Sequence, residues 1–221
     1  CMSMVGIKRI YAGRPTYKAK KRKGTSLKTE VFRLKKQLNA QKNVGHVDLF
    51  LESNANGTAD ISLLNGVAQG TDDDERLSNA ITMKALEYRC AIFPGATQST
   101  NLTTTVIFLV DTNPNGALAT TTDILEAVSP RSMTAWENKA RFKILKRITQ
   151  VVGDTTDSTG LYPVANGYIK LNEMPATFTG TAGAIANFVT NALLVLVIGE
   201  GASDNSTSAR VQIDTRLTFN Q

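Results

Sequence analysis

Residues Arg210-Val211-Gln212-Ile213-Asp214-Thr215-Arg216-Leu217-Thr218-Phe219 set Val211, Ile213, Leu217 and Phe219 on one side of an extended chain and the charges on the other. A period of two is the signature of a strand with one buried and one wet face, and a helix cannot satisfy it. Val47, Leu49 and Leu51 alternate in the same way. Residues 81–92 form a longer candidate strand that changes phase near Ala85 and Leu86, as a bulge requires. Residues 103–110 and 193–198 are continuous apolar or β-branched runs, suited to strands covered on both faces. Residues 168–171 make a shorter candidate. Residues 141–152 also fit a helix through Phe142, Leu145, Ile148 and Val152, but the β-branched ending favours a strand. Only residues 121–126 and 134–139 read as short helices of the body. Seven or eight strands with few helices after Asn43 predict a β-sandwich, and long connections favour a jelly roll over a meander. No internal repeat or second core is apparent.

The first 43 residues obey a different rule. They hold 13 of the 25 basic residues and a single acid, Glu30, so this arm carries +12 and the remaining chain −6. The densest block, Lys18-Ala19-Lys20-Lys21-Arg22-Lys23, is flanked by Gly6, Gly13, Pro15 and Gly24, which oppose regular structure. One reading is a solubilising tail or a nuclear-import signal alone. The favoured reading is a polyanion-binding arm, because each Lys or Arg meeting a phosphate releases condensed counterions. Its candidate nucleic-acid contacts are Lys8, Arg9, Arg14, Lys18, Lys20, Lys21, Arg22, Lys23, Lys28, Arg33, Lys35 and Lys36, with Tyr11 and Tyr17 placed to stack on unpaired bases. Leu27, Val31, Leu34 and Leu38 recur at spacings of four, three and four, which predicts a short helix over about residues 26–38. A helix this short is marginal alone. Its stripe needs either the body of its own chain or equivalent helices of neighbouring subunits.

Catalysis has little to draw on. The chain has two cysteines, Cys1 and Cys90, and one histidine, His46, too few for a Cys/His zinc site within one chain. His46 sits in a strand pattern and Cys90 in an apolar run, so each reads as a structural residue. Two cysteines make no disulfide framework, which suits a reducing compartment. Opening on Cys1 suggests a fragment or an added residue, with Met2 and Met4 as alternative starts. Asp72-Asp73-Asp74-Glu75 is the one acidic cluster, and it lacks the spaced ligands of a calcium loop, so it reads as a solvated turn. Gly180-Thr181-Ala182-Gly183 and Gly199-Glu200-Gly201 match no phosphate-cradling signature. No catalytic residue, metal site or cofactor is expected. The longest strongly apolar run, residues 192–198, is too short to cross a bilayer, and the N-terminus lacks a signal-peptide core, so neither a membrane partner nor secretion is expected.

Ordered motifs carry a resemblance. Leu64-Asn65-Gly66-Val67-Ala68-Gln69-Gly70, then Arg76 and the strand from Ile81, resembles the NGI-x-QG…R segment of small icosahedral virus capsid proteins. This group includes the coat proteins of satellite tobacco necrosis virus and of circular Rep-encoding single-stranded DNA viruses. Val106 to Asp111, the Asn113-Pro114-Asn115-Gly116 turn and Thr122-Asp123-Ile124-Leu125 are similar to the same family's strand, turn and short helix. Residues 139–146 resemble its next strand. The likeness spans residues 64–152 and departs at Leu77-Ser78, where a glycine often follows the arginine.

The resemblance implies an all-β, eight-stranded jelly-roll shell domain over residues 44–221 and an interior arm over residues 1–43. About 60 copies would close a T=1 shell around a single-stranded genome, with the 111–125 pattern leaning towards DNA over RNA. The virion is the implied location, with the nucleus as an assembly site if residues 18–23 direct import. Gly66, Gly70, Arg76, Asp111, Asn115, Gly116 and Asp123 are the implied structural positions. Among them, Asn115-Gly116 fits a turn needing positive φ, Asp123 a helix cap, and Gly66 and Gly70 loop geometry. Two readings from other classes stay open. One is a non-capsid β-sandwich module with a basic tail, binding nucleic acid or a receptor. The other is a metal-dependent hydrolase using residues 72–75. Particle size in solution separates the first from a capsid, and chelation tests the second.

Overall fold

The computed structural model describes residues 27, 29–34, 44–153, 162–201 and 207–221. The chain divides into two compact units, Cys1–Asn39 and Ala40–Gln221. In the first, Leu27 and residues 29–34 belong to a helix, α1, on which Leu27, Phe32 and Leu34 are exposed.

The second unit is built on nine strands: β1 (Val44–Ala55), β2 (Asp60–Leu63), β3 (Ala80–Phe93), β4 (Leu102–Asp111), β5 (Phe142–Val152), β6 (Val164–Phe178), β7 (Phe188–Thr190), β8 (Ala192–Gly199) and β9 (Ala209–Asn220). They form a five-stranded sheet ordered β1-β9-β3-β6-β7 and a four-stranded sheet ordered β2-β8-β4-β5, all antiparallel. The pairs β1–β9, β2–β8, β3–β6 and β4–β5 are nested like the two halves of one long ribbon. Wrapping that ribbon brings β9 beside β3 and β8 beside β4, which is the jelly-roll arrangement.

The ninth strand corrects the expected eight. The run ending in β8 is divided by Asn191, whose φ of 57° turns the chain from one sheet to the other. The ladder changes partner at this residue: residues 188–190 pair with β6 as β7, and β8 begins at Ala192 beside β4. The Asn191 amide donates to the Pro175 carbonyl oxygen at 2.6 Å and fixes this corner.

Both long strands are irregular at one level. The register of β3 shifts between Met83 and Ala85 against β6 and against β9, matching the expected change of phase. Opposite the shift, Asn172 and Glu173 adopt φ of 52° and 58°. Strand β6 therefore extends well beyond the expected residues 168–171. Its second half is masked in sequence by these left-handed residues and by Pro175.

The sandwich interior is closed by Val106, Phe108, Val195 and Val197 with Met83, Leu86, Ile213 and Phe219, and Tyr88 lies with its ring centre 4.8 Å from that of Phe108. Strands β4 and β8 are also covered on their other face, by the long β4–β5 connection. Its short helix α2 (Thr121–Ile124) buries Ile124, and Pro130 accepts from Thr105 Oγ1 at 2.8 Å. The second helix expected over residues 134–139 does not form. Thr134 bridges Leu125, and Ala135 N donates to the Ile124 carbonyl at 2.9 Å, so these backbone groups are committed to a ladder. Cys90 is fully buried in β3, where desolvation pushes its thiol up to about 12.

The corner at Asn191 gives a clear test. Asn191→Val should lower unfolding stability by ~2 kcal/mol, because a β-branched residue is costly at positive φ. Asn191→Gly, which loses only the Pro175 bond, should cost ~1 kcal/mol. Urea-unfolding midpoints of the two variants should fall in that order.

Candidate functional site

Of the twelve basic residues assigned to nucleic acid, Arg33 is described and is exposed on α1. Lys8, Arg9, Arg14, Lys18, Lys20, Lys21, Arg22, Lys23, Lys28, Lys35 and Lys36 lie outside the described residues. So do residues 154–161.

The motif residues fall into two groups. The first surrounds Arg76, which is fully buried. Its Nε donates to the Val67 carbonyl at 3.0 Å, and Nη1 donates to the Ser78 carbonyl at 2.7 Å and to Asn79 Oδ1 at 3.4 Å. Nη2 donates to the Gly180 carbonyl, and the guanidinium lies 4.3 Å from the centre of the Phe178 ring. Burial draws its pKa below the usual value, but an arginine remains charged. The planar fork thereby ties the β2–β3 loop to the β6–β7 loop through oxygens of both loops.

Both glycines of this group act through space and not through φ. A Cβ on Gly66 would stand 2.6 Å from the Gly183 carbonyl oxygen, and one on Gly70 would overlap the Glu75 carboxylate. At Gly66 two loop backbones approach closely, and at Gly70 the loop folds over its own Glu75 side chain. Asn65, not singled out in the sequence, is also fully buried. Its Oδ1 accepts from Leu193 N at 2.8 Å and its Nδ2 donates to the Asn191 carbonyl at 3.0 Å.

The second group frames the β4–β5 connection. Asp111 is buried and accepts Arg141 Nε at 2.8 Å and Nη2 at 2.6 Å, a bidentate clamp across the base of the connection. The carboxylate holds the Arg141 guanidinium above its usual pKa. Gly116 has φ 86°, as the Asn-Gly pair predicts. The cap of α2 is Thr120, and Asp123 occupies the third helical position, which corrects the capping role expected of Asp123. Asp123 Oδ2 accepts from Thr120 N at 2.8 Å while Asp123 N donates to Thr120 Oγ1 at 3.3 Å, a reciprocal capping box. Hydrogen bonds from Thr120 hold the Asp123 carboxyl below its ordinary value. The sequence signal for Thr120 was present in the spacing Thr-x-x-Asp. Gln98 carried none, yet it is buried and its Nε2 donates to the Val152 carbonyl at 3.0 Å.

His46 is exposed on β1, with its backbone N donating to the Asp73 carbonyl at 3.1 Å. Residues 72–75 form a turn in which Glu75 Oε2 accepts from Asp72 N at 3.1 Å. A shallow trough crosses the outer face of the five-stranded sheet, where Arg216 grips Asp48 with bonds of 2.7 and 2.6 Å between exposed Phe50 and Tyr168. Among the described residues no group of three or more His, Cys, Asp or Glu is placed to hold a metal ion, and no helix is long and apolar enough to cross a membrane.

Two substitutions test this framework. Arg76→Met, which leaves buried carbonyls without a donor, should cost ~3 kcal/mol in urea unfolding, and a loss below ~1 kcal/mol would show that the fork does not bind the loops. Asp123→Asn should cost ~1 kcal/mol at neutral pH. Because the folded pKa of Asp123 is lowered, its stabilisation is complete above the ordinary carboxylate value and is lost as pH falls through the lowered one. The gap between wild type and Asp123→Asn should therefore narrow in acid, as measured by unfolding from pH 6 to 2.

Comparison with known proteins follows the same motifs. No curated protein matches the chain. Similar solved structures include desmodium yellow mottle tymovirus, at 8% identity and TM-score 0.37, with 80% of this chain and 88% of that chain covered. Another is the empty head of turnip yellow mosaic virus, at 10% identity and TM-score 0.32, covering 100% and 90%. A third is a Bacillus endospore appendage pilus, at 11% identity and TM-score 0.27, covering 80% and 88%. At such TM-scores these likenesses carry no weight. The family model described as satellite tobacco necrosis virus coat protein, by contrast, matches residues 17–217 and so takes in both motif groups and most of the shell unit. The chain belongs to the satellite tobacco necrosis virus coat protein family.

Proposed function

We propose that this protein is a capsid protein whose copies assemble into a small icosahedral shell and package a single-stranded genome through the N-terminal arm. The observation that carries the reading is the division of charge in a chain of this family: +12 in the first 43 residues against −6 in the jelly-roll unit. Enclosed without a polyanion, the arms would repel one another. A genome removes that repulsion through counterion release. In a T=1 shell of about 60 copies the arms would supply about 720 positive charges, matching on the order of 700 phosphates. The twelve assigned residues from Lys8 to Lys36 act as phosphate contacts, which read charge and not sequence.

The genome is DNA in preference to RNA on the pattern of residues 111–125, and residues 18–23 would direct the chain to the nucleus for assembly. The finished location is the virion. No catalytic step belongs to this role, and Gly66, Gly70, Arg76, Asp111, Asn115, Gly116 and Asp123 serve it by shaping the loops of the shell unit.

The test compares the full chain with one lacking residues 1–43, by electron microscopy and by absorbance at 260 and 280 nm. The full chain should give uniform spheres containing nucleic acid, and the truncated chain should give particles or capsomers with a protein-like ratio. Binding of single-stranded DNA to the full chain should weaken steeply with salt, by a logarithmic slope of ~0.7 per phosphate contact. Dispersed subunits under every salt condition would favour the tailed binding module instead.

A further inference from the structure

Asn-Gly pairs carry a reactivity of their own. Rotation of the asparagine side chain brings its carbonyl carbon against the backbone nitrogen of the next residue, and glycine, lacking a side chain, leaves that nitrogen open to attack it. This chain contains four such pairs: Asn56-Gly57, Asn65-Gly66, Asn115-Gly116 and Asn166-Gly167. Sequence makes them equal, and the fold separates them.

Three are held. Asn65 is fully buried, and both ends of its amide are occupied, Oδ1 by Leu193 N and Nδ2 by the Asn191 carbonyl oxygen. At Asn56 the side-chain oxygen accepts from Thr58 N at 2.8 Å, and the attacking nitrogen, Gly57 N, donates to the Gly201 carbonyl at 2.9 Å. Asn166 and Gly167 lie within β6, opposite Arg89 and Tyr88 of β3. Ile92 N donates to the Pro163 carbonyl at 3.0 Å, and hydrogen-bonded pairs alternate along an antiparallel ladder, so Gly167 falls on a bonded position facing Tyr88.

Asn115-Gly116 has none of these restraints. It opens an exposed tip of the β4–β5 connection, residues 115–118, between buried Pro114 and Ala119. Among the described residues nothing hydrogen-bonds to the Asn115 side chain or to Gly116 N. Gly116 is also unpacked, with no atom within 4 Å of the position its Cβ would take.

We propose that Asn115 is a site of spontaneous deamidation. Gly116 N gives its proton to solvent base and bonds to Asn115 Cγ. The Cγ–Nδ2 bond breaks, the amide nitrogen takes up a proton and leaves as ammonia, and a five-membered succinimide remains. Water then adds to either ring carbonyl and opens the ring to aspartate or isoaspartate. Water is the only co-reactant, and nothing is oxidised or reduced. Residues 112–120 hold no charged side chain, so conversion places a first negative charge on this tip. The isoaspartate product also lengthens the backbone of the turn by one carbon.

The test incubates the full chain at mildly alkaline pH and follows its tryptic peptides by mass spectrometry, with enzymatic methylation to count isoaspartate. Because the other three pairs react only after the fold opens locally, Asn115 should convert at least about tenfold faster than Asn56, Asn65 or Asn166. An acidic form should accumulate on isoelectric focusing, and Asn115→Gln should abolish its early appearance. In urea the four pairs should converge to similar rates. Conversion of another Asn-Gly pair ahead of Asn115, or equal rates at all four in the folded chain, would overturn the assignment. So would an unmodified Asn115 in folded protein whose urea control deamidates at all four.

Discussion

The shell unit depends on antiparallel pairing between its first and last strands. Twelve residues of β1 pair with twelve of β9, from Val44 with Asn220 to Ala55 with Ala209. Every other pair nests inside this one, so the ribbon cannot wrap until nearly the whole chain is present. Contacts so distant in sequence are costly in loop entropy and are repaid only when the core closes. The reward is concentrated in β4 and β8, which are buried on both faces. One face is covered by the opposite sheet and the other by the β4–β5 connection.

That geometry explains where charge is tolerated inside. Arg76 and Asp111 are both buried, and each sits where a long loop must be fastened to the sandwich. Arg76 spreads its donors over the backbones of two loops, whereas Asp111 uses a bidentate partner at the edge of its own connection. A hydrophobic residue at either place would pack, but it could not satisfy the oxygens or amides that the loops bring with them. Close approach of Gly66 to Gly183 belongs to the same fastening, since a side chain at either position would separate the loops.

Much of this was legible in the sequence. Period-two patterning located β1, β3 and β9, continuous apolar runs located β4 and β8, and the phase change in residues 81–92 located the bulge. The resemblance pointed to Arg76 and Asp111 but not to their partners, because Gly180 and Arg141 become their neighbours only after the loops fold. The extent of β6 was hidden by Asn172, Glu173 and Pro175, residues that oppose a strand locally; the first two are accommodated at the irregularity opposite Lys84, and Pro175 pairs with Thr82 just beyond it. A helix over residues 134–139 looked reasonable until the backbone groups there paired with residues 124–126.

The sequence by itself determined that a basic arm precedes an all-β unit, since charge composition and side-chain period are properties of the chain read in order. It also determined the family, through motifs whose spacing survives without a structure. Tertiary structure alone decided how nine strands divide between two sheets, why Gly66 must lack a side chain, and which surfaces of the β4–β5 connection remain open. The physical reason is distance along the chain. Periodicity reports what faces a common side within a few residues, whereas register, close backbone approach and exposure depend on partners that lie tens to more than a hundred residues away.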